Sequence, residues 1–136
     1  MTDPESYDTR SSSPGEYGYV RVCAGTLTYD NADGYIDIDT LSVGDTILML
    51  WMEITATFDA GTSNDMSVGN DVTPDAYVTS PLEALDGIEP ATVTLTPSPR
   101  PSVRTVAPLR VSYIYTGTPP TAGETRVYAM ISSAAL

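Results

Sequence analysis

Thr46-Ile47-Leu48-Met49-Leu50-Trp51-Met52-Glu53-Ile54-Thr55-Ala56-Thr57-Phe58 is the stretch on which the fold turns. Leu48, Leu50, Met52, Ile54, Ala56 and Phe58 recur at period two, the spacing that puts strand side chains on one face. A helix needs apolar residues at i, i+3, i+4 and i+7, which this alternation fits less well. The spacing predicts a long central strand. On its other face Ile47, Met49 and Trp51 are apolar, while Glu53, Thr55 and Thr57 are polar. The first half therefore needs cover on both sides. An opposing sheet supplies one cover and a neighbouring subunit the other, which makes Ile47, Met49 and Trp51 candidate interface residues.

Outward from this strand the chain reads as short β-segments between turn signals. Tyr17, Tyr19, Arg21 and Cys23 alternate with Gly18, Val20 and Val22, as a strand with unlike faces does. Asp30-Asn31-Ala32-Asp33-Gly34 carries turn chemistry, and Tyr35 to Leu41 then alternates, Ile36 and Ile38 one way and Asp37 and Asp39 the other. Further strands are expected at Met66–Gly69, Ala76–Val78, Ala91–Thr96, Val103–Val106, Leu109–Thr116 and Thr125–Ser132. Ser80-Pro81-Leu82-Glu83-Ala84-Leu85 reads as a helical turn, with serine as N-cap and proline at the first helical position. Pro97, Pro99 and Pro101 lack backbone donors, so that segment is a loop or an edge. Roughly eight short strands make an all-β, antiparallel two-sheet sandwich or jelly roll. Residues 16–136 form that domain. Met1 to Gly15 is too polar to offset its ordering entropy and is expected to be an extended arm, with Tyr7 and Arg10 as its candidate anchors.

Composition narrows the function. The chain has 136 residues, 18 acidic against six basic side chains, no histidine and one cysteine. Without histidine there is no imidazole base, no Ser-His-Asp triad and no histidine-ligated metal. Every basic residue is arginine, so no lysine exists for a Schiff base. A net charge of −12 disfavours nucleic acid and anionic membranes, whose recognition needs cations. The longest apolar run, Ile47 to Met52, is far short of the ~20 residues that span a bilayer. Met1-Thr2-Asp3-Pro4-Glu5 lacks a basic and apolar leader, so no signal peptide is expected.

Each candidate for chemistry has a simpler reading. Asp59-Ala60-Gly61-Thr62 resembles an aspartic-protease loop, but alanine replaces the hydroxyl residue beside the aspartate, and a turn explains Asp and Gly equally well. Asp30, Asp33 and Asp37 could offer oxygen ligands to a cation; an EF-hand fails because Tyr29 stands where its first carboxylate belongs. Cys23 reads as a small buried hydrophobe. Nine tyrosines against one phenylalanine favour a half-wet contact surface, or a carbohydrate-binding sheet face. No catalytic residue, cofactor or metal site is expected, and the chain is not read as an enzyme.

Gly44-Asp45-Thr46 through Gly69 carries a family resemblance. Ile54-Thr55-Ala56-Thr57-Phe58-Asp59-Ala60-Gly61-Thr62-Ser63-Asn64-Asp65-Met66-Ser67-Val68-Gly69, followed by Pro74-Asp75-Ala76-Tyr77, resembles small structural proteins of tailed bacteriophage virions. Ala122-Gly123-Glu124-Thr125-Arg126-Val127-Tyr128-Ala129 is similar to the closing strand of such proteins. The resemblance implies a β-sandwich subunit that assembles on a particle, most simply a decoration (cement) protein bound to the major capsid protein. It also implies a homotrimer, located in the virion and made in the host cytoplasm. The alternative is a tail-fibre or carbohydrate-recognition module.

Overall fold

A computed structural model describes residues 19–82, 92–95 and 103–133. The predicted arm at 1–15, Tyr7, Arg10, the proline-rich stretch 97–101 and the latter half of the predicted helical turn lie outside the described residues. Eight strands run β1 Tyr19–Thr28, β2 Tyr35–Leu41, β3 Thr46–Ala56, β4 Ser63–Gly69, β5 Val78–Pro81, β6 Thr92–Leu95, β7 Ala107–Thr116 and β8 Glu124–Ser133. They form two four-stranded antiparallel sheets, ordered β1-β8-β3-β6 and β2-β7-β4-β5. β1 therefore lies beside β8, β2 beside β7, β3 beside β6 and β4 beside β5, as if the chain were doubled into one long hairpin and then rolled. This is the eight-stranded jelly roll.

The inward faces supply the core. Leu50, Met52 and Ile54 of β3 meet Val68 and Met66 of β4, Val111 and Leu109 of β7, and Val127, Ala129 and Ile131 of β8 in one buried cluster. Phe58, just beyond β3, closes the cluster against Tyr113 at a ring separation of 4.7 Å. Tyr113 donates its hydroxyl hydrogen to Asn64 Oδ1, so the buried phenol and amide satisfy each other.

Period two is interrupted once where it matters. Ile47 pairs with Ile131, but the next pair is Met49 with Met130, so Leu48 is an extra residue in β3. Such a bulge inverts the facing of everything before it. Ile47 is accordingly fully buried in its own chain, Leu48 only half-buried, and the reading of Ile47 as an interface residue is corrected. A similar shift between Asp37 and Asp39 of β2 separates two carboxylates expected on one wet face. Asp37 meets Arg110 on the outside, while Asp39 reaches Arg21 of the other sheet.

Two further expectations change. Ser80 and Pro81 end β5 instead of opening a helix; β5 is an edge strand, where a residue without an N–H is tolerated. Val103 to Val106 is not a strand. Val103 spends its donor and acceptor on the turn after β2, with Gly44 N–H to Val103 O at 2.7 Å and Val103 N–H to Asp45 O at 2.8 Å.

Gly123 precedes β8 at φ 146°, and a Cβ there would run into the Phe58 ring. Gly123→Ala is expected to cost about 1–3 kcal/mol through backbone strain and displaced Phe58. A thermal midpoint several degrees lower in calorimetry checks it; an unchanged midpoint would show that the loop yields freely.

Candidate docking face

β8 is central to its sheet and alternates cleanly. Thr125, Val127, Ala129 and Ile131 are buried, which turns Arg126, Tyr128, Met130 and Ser132 outward. The registers with β1 and β3 then set four rows across the outer face. The first is Val20, Ser132 and Thr46; the second Val22, Met130 and Met49; the third Ala24, Tyr128 and Trp51; the fourth Thr26, Arg126 and Glu53. Val20, Val22 and Met49 are 55%, 57% and 40% exposed. The first three rows hold no charged side chain at all, on a chain of net charge −12.

The opposite outer face, on β2-β7-β4-β5, has another character. Arg110 forks onto Asp37 at 2.8 and 3.2 Å and lies over the Tyr35 ring at 3.7 Å. Ser63 and Thr116 share a hydrogen bond at 2.7 Å and Asp65 continues the polar surface, with Ile114 as an exposed aliphatic residue; Ser67 and Ser112 on the same face are buried. Water suits this face. The apolar rows of the other sheet are the surface that gains from a partner.

Met49 and Trp51 thus sit where the sequence pointed, joined by Val22, Tyr128 and Met130, which it did not single out. Trp51 and Tyr128 stack with centroids 5.3 Å apart and planes 7° from parallel. Each ring covers part of the other's face, and Arg126 adds its guanidinium 5.5 Å from the Tyr128 ring. Rings at this separation overlap instead of lying side by side, so they do not form the flat platform on which a sugar stacks.

The remaining candidates have structural work. Asp59 accepts from the Thr121 hydroxyl at 2.6 Å, the Thr121 N–H at 2.7 Å and the Ala122 N–H at 3.0 Å, latching the loop after β3 to the loop before β8. Among the described residues no three carboxylate or thiol groups converge on a cation site, and Asp37 is engaged by Arg110. Arg21 links both sheets: Nε donates to Asp39 at 2.9 Å, Nη2 to Asp45 at 3.0 Å and Nη1 to Ser133 Oγ at 2.9 Å. Burial works against its charge, but the bonds to Asp45 and Asp39 outweigh that and raise its pKa.

No protein-family model matches the chain, and a search of curated proteins finds no match. Solved structures do resemble it. A chain of the acidic stable capsid of Helicobacter pylori bacteriophage KHP30 superposes with a TM-score of 0.63 at 12% identity, covering 83% of this chain and 86% of that one. A chain of the cyanophage Pam1 capsid asymmetric unit gives a TM-score of 0.63 at 17% identity, covering 96% and 99%. The fold is one that phage capsids use. At these identities the likeness is one of fold.

Two expectations follow from the polar groups. Burial first, and then the negative charge of Asp39, push the Cys23 thiol up to about 11. Alkylation at about pH 8 should run on the order of a hundredfold slower than for a free cysteine and rise with pH beyond 10; alkylation at the free rate would contradict this burial. The Asp59 carboxyl is held below its ordinary value, mainly by the Thr121 hydroxyl and then by the Thr121 backbone N–H. The stability it lends is fully present above the unfolded value near pH 4 and is lost as pH falls through the lower folded value. Asp59→Ala should lower the thermal midpoint at neutral pH, and the gap from wild type should narrow as the carboxyl is protonated in acid.

Proposed function

We propose that this chain is a structural subunit of a bacteriophage virion, a decoration (cement) protein that binds the outside of the capsid shell and stabilises it. The observation that carries this reading is the near full-length fold likeness to chains of two phage capsids. The chemistry of the chain agrees. It has no histidine or lysine, its cysteine is held as a thiol, and Asp39, Asp45 and Asp59 are engaged in latches between loops and sheets. Its partners are the major shell protein and further copies of itself. The polar outer sheet remains in water, and the arm at residues 1–15 supplies shell contacts, with Tyr7 and Arg10 as anchors.

Weak contacts repeated over a shell reinforce each other through effective concentration, which is how a small subunit with a short arm can hold a particle. The test mixes the purified chain with shells that lack it and measures occupancy, copy number and the shell's thermal midpoint. Saturable binding near one copy per shell subunit, with a raised midpoint, supports a cement role. A handful of copies would indicate a tail or portal part, and no binding would overturn the reading. Deleting residues 1–15 should leave the free chain's midpoint almost unchanged and lower shell occupancy by about tenfold or more; unchanged occupancy would make the arm a passive tail.

A further inference from the structure

We infer that the outer face of the β1-β8-β3-β6 sheet packs on the same face of a second copy, turned end over end, so that Met49 and Met130 of each copy lie on Trp51 and Tyr128 of the other. This names the occupant of the apolar rows and does not depend on the virion reading.

Charge limits where two copies can meet. Each carries net charge −12, so they repel each other least where neither presents carboxylates. The first three rows meet that condition. Stacked sheets lie about 10 Å apart with strands aligned within about 30°. Two such alignments bring the face onto itself. With the twofold axis along the strands and through β8, the middle strand of the three that carry the rows, row meets like row and Arg126 opposes Arg126 of the other copy. With the axis across the strands, the second row meets the third and the first meets the fourth. Arg126 then lies over Ser132, Glu53 over Thr46, and no like charges face each other.

Shape agrees with the second alignment. Val22 comes over Ala24, a large side chain on a small one, and thioethers come over the stacked Trp51–Tyr128 pair, a favourable sulfur–aromatic contact. A single face that complements itself makes a twofold pair, whereas a threefold ring needs two different complementary surfaces on each copy. The trimer implied by the family resemblance is not what this face favours. Three strands at about 4.8 Å spacing and rows spanning about 20 Å give a footprint on the order of 300 Å². That is well under half of what a standard stable interface buries per partner, so the pair is a weak one.

Sedimentation velocity on the full chain tests this. Wild type should interconvert between monomer and dimer at roughly 10–100 µM. Raising salt from about 0.05 to about 0.5 M should tighten the pair several-fold, because screening relieves repulsion between two acidic copies. Met49→Lys and Trp51→Glu should each be monomeric alone, since each places a charge in an apolar contact. Mixed, they should pair, because the introduced lysine of one copy faces the introduced glutamate of the other. Val22→Lys with Ala24→Glu, on the more exposed β1, gives the same readout if the first pair perturbs folding, as judged by the thermal midpoint.

Pairing only in the mixtures supports the inference. Wild type monomeric at every concentration overturns it, as do variants that associate like wild type or folded mixtures that fail to pair. Loss of the face variants from shells while wild type stays monomeric also overturns it, assigning the face to the shell protein. Shell binding is scored separately: a paired chain that ignores shells leaves this inference standing and removes the virion reading.

Discussion

The pairing of β3 with β8 is the constraint on which everything else hangs. Both strands are apolar on both faces, so burying one set commits the other to the outside. Inward go Ile47, Leu50, Met52 and Ile54 with Val127, Ala129 and Ile131; outward go Met49, Trp51, Tyr128 and Met130. Each large aliphatic side chain taken from water contributes roughly 1.5–3 kcal/mol, which makes the chosen register strongly preferred over a slip by one residue. The exposed apolar surface is thus a by-product of the core's own register.

The ends of the roll are fastened by different chemistry. At one end Arg21, Asp39, Asp45 and Ser133 tie β1, β2, the following turn and β8 together, with Asp45 almost wholly buried and also accepting the Ser42 N–H. Removing Arg21 would leave the buried Asp45 carboxylate without its ion-pair partner, which costs far more than the pair contributes when intact. At the other end the exposed Asp59 collects three hydrogen bonds from Thr121 and Ala122. The first fastening joins a guanidinium to two carboxylates across the sheets; the second rests on one exposed carboxylate and neutral donors.

The sheet sandwich was legible because alternation and turn residues are local signals. Leu50, Met52 and Ile54 face the core as their spacing said, and β2, β4, β7 and β8 fall on the segments expected of them. The bulge at Leu48 was not legible, since no glycine or other special residue marks it; it is imposed by where Ile47 and Ile131 must meet. Ser80-Pro81 carried a real helix-start signal that edge pairing with β4 overrode. Met49 and Trp51 of the outward apolar rows were visible in the sequence. Val22 and Met130 were not, because they are ordinary apolar strand residues that gain meaning only once distant strands are known to be neighbours. The arm's candidates, Tyr7 and Arg10, fall outside the described residues.

The first and last residues of the roll are register partners: Tyr19 of β1 lies opposite Ser133 of β8. The chain enters and leaves the domain at the same corner, at the Arg21 end and away from the Asp59 latch. A short linker therefore suffices to join the two strand ends. Cargo fused before Tyr19 or after Ser133 emerges from one shared point, which makes the domain a display scaffold with a single, defined exit.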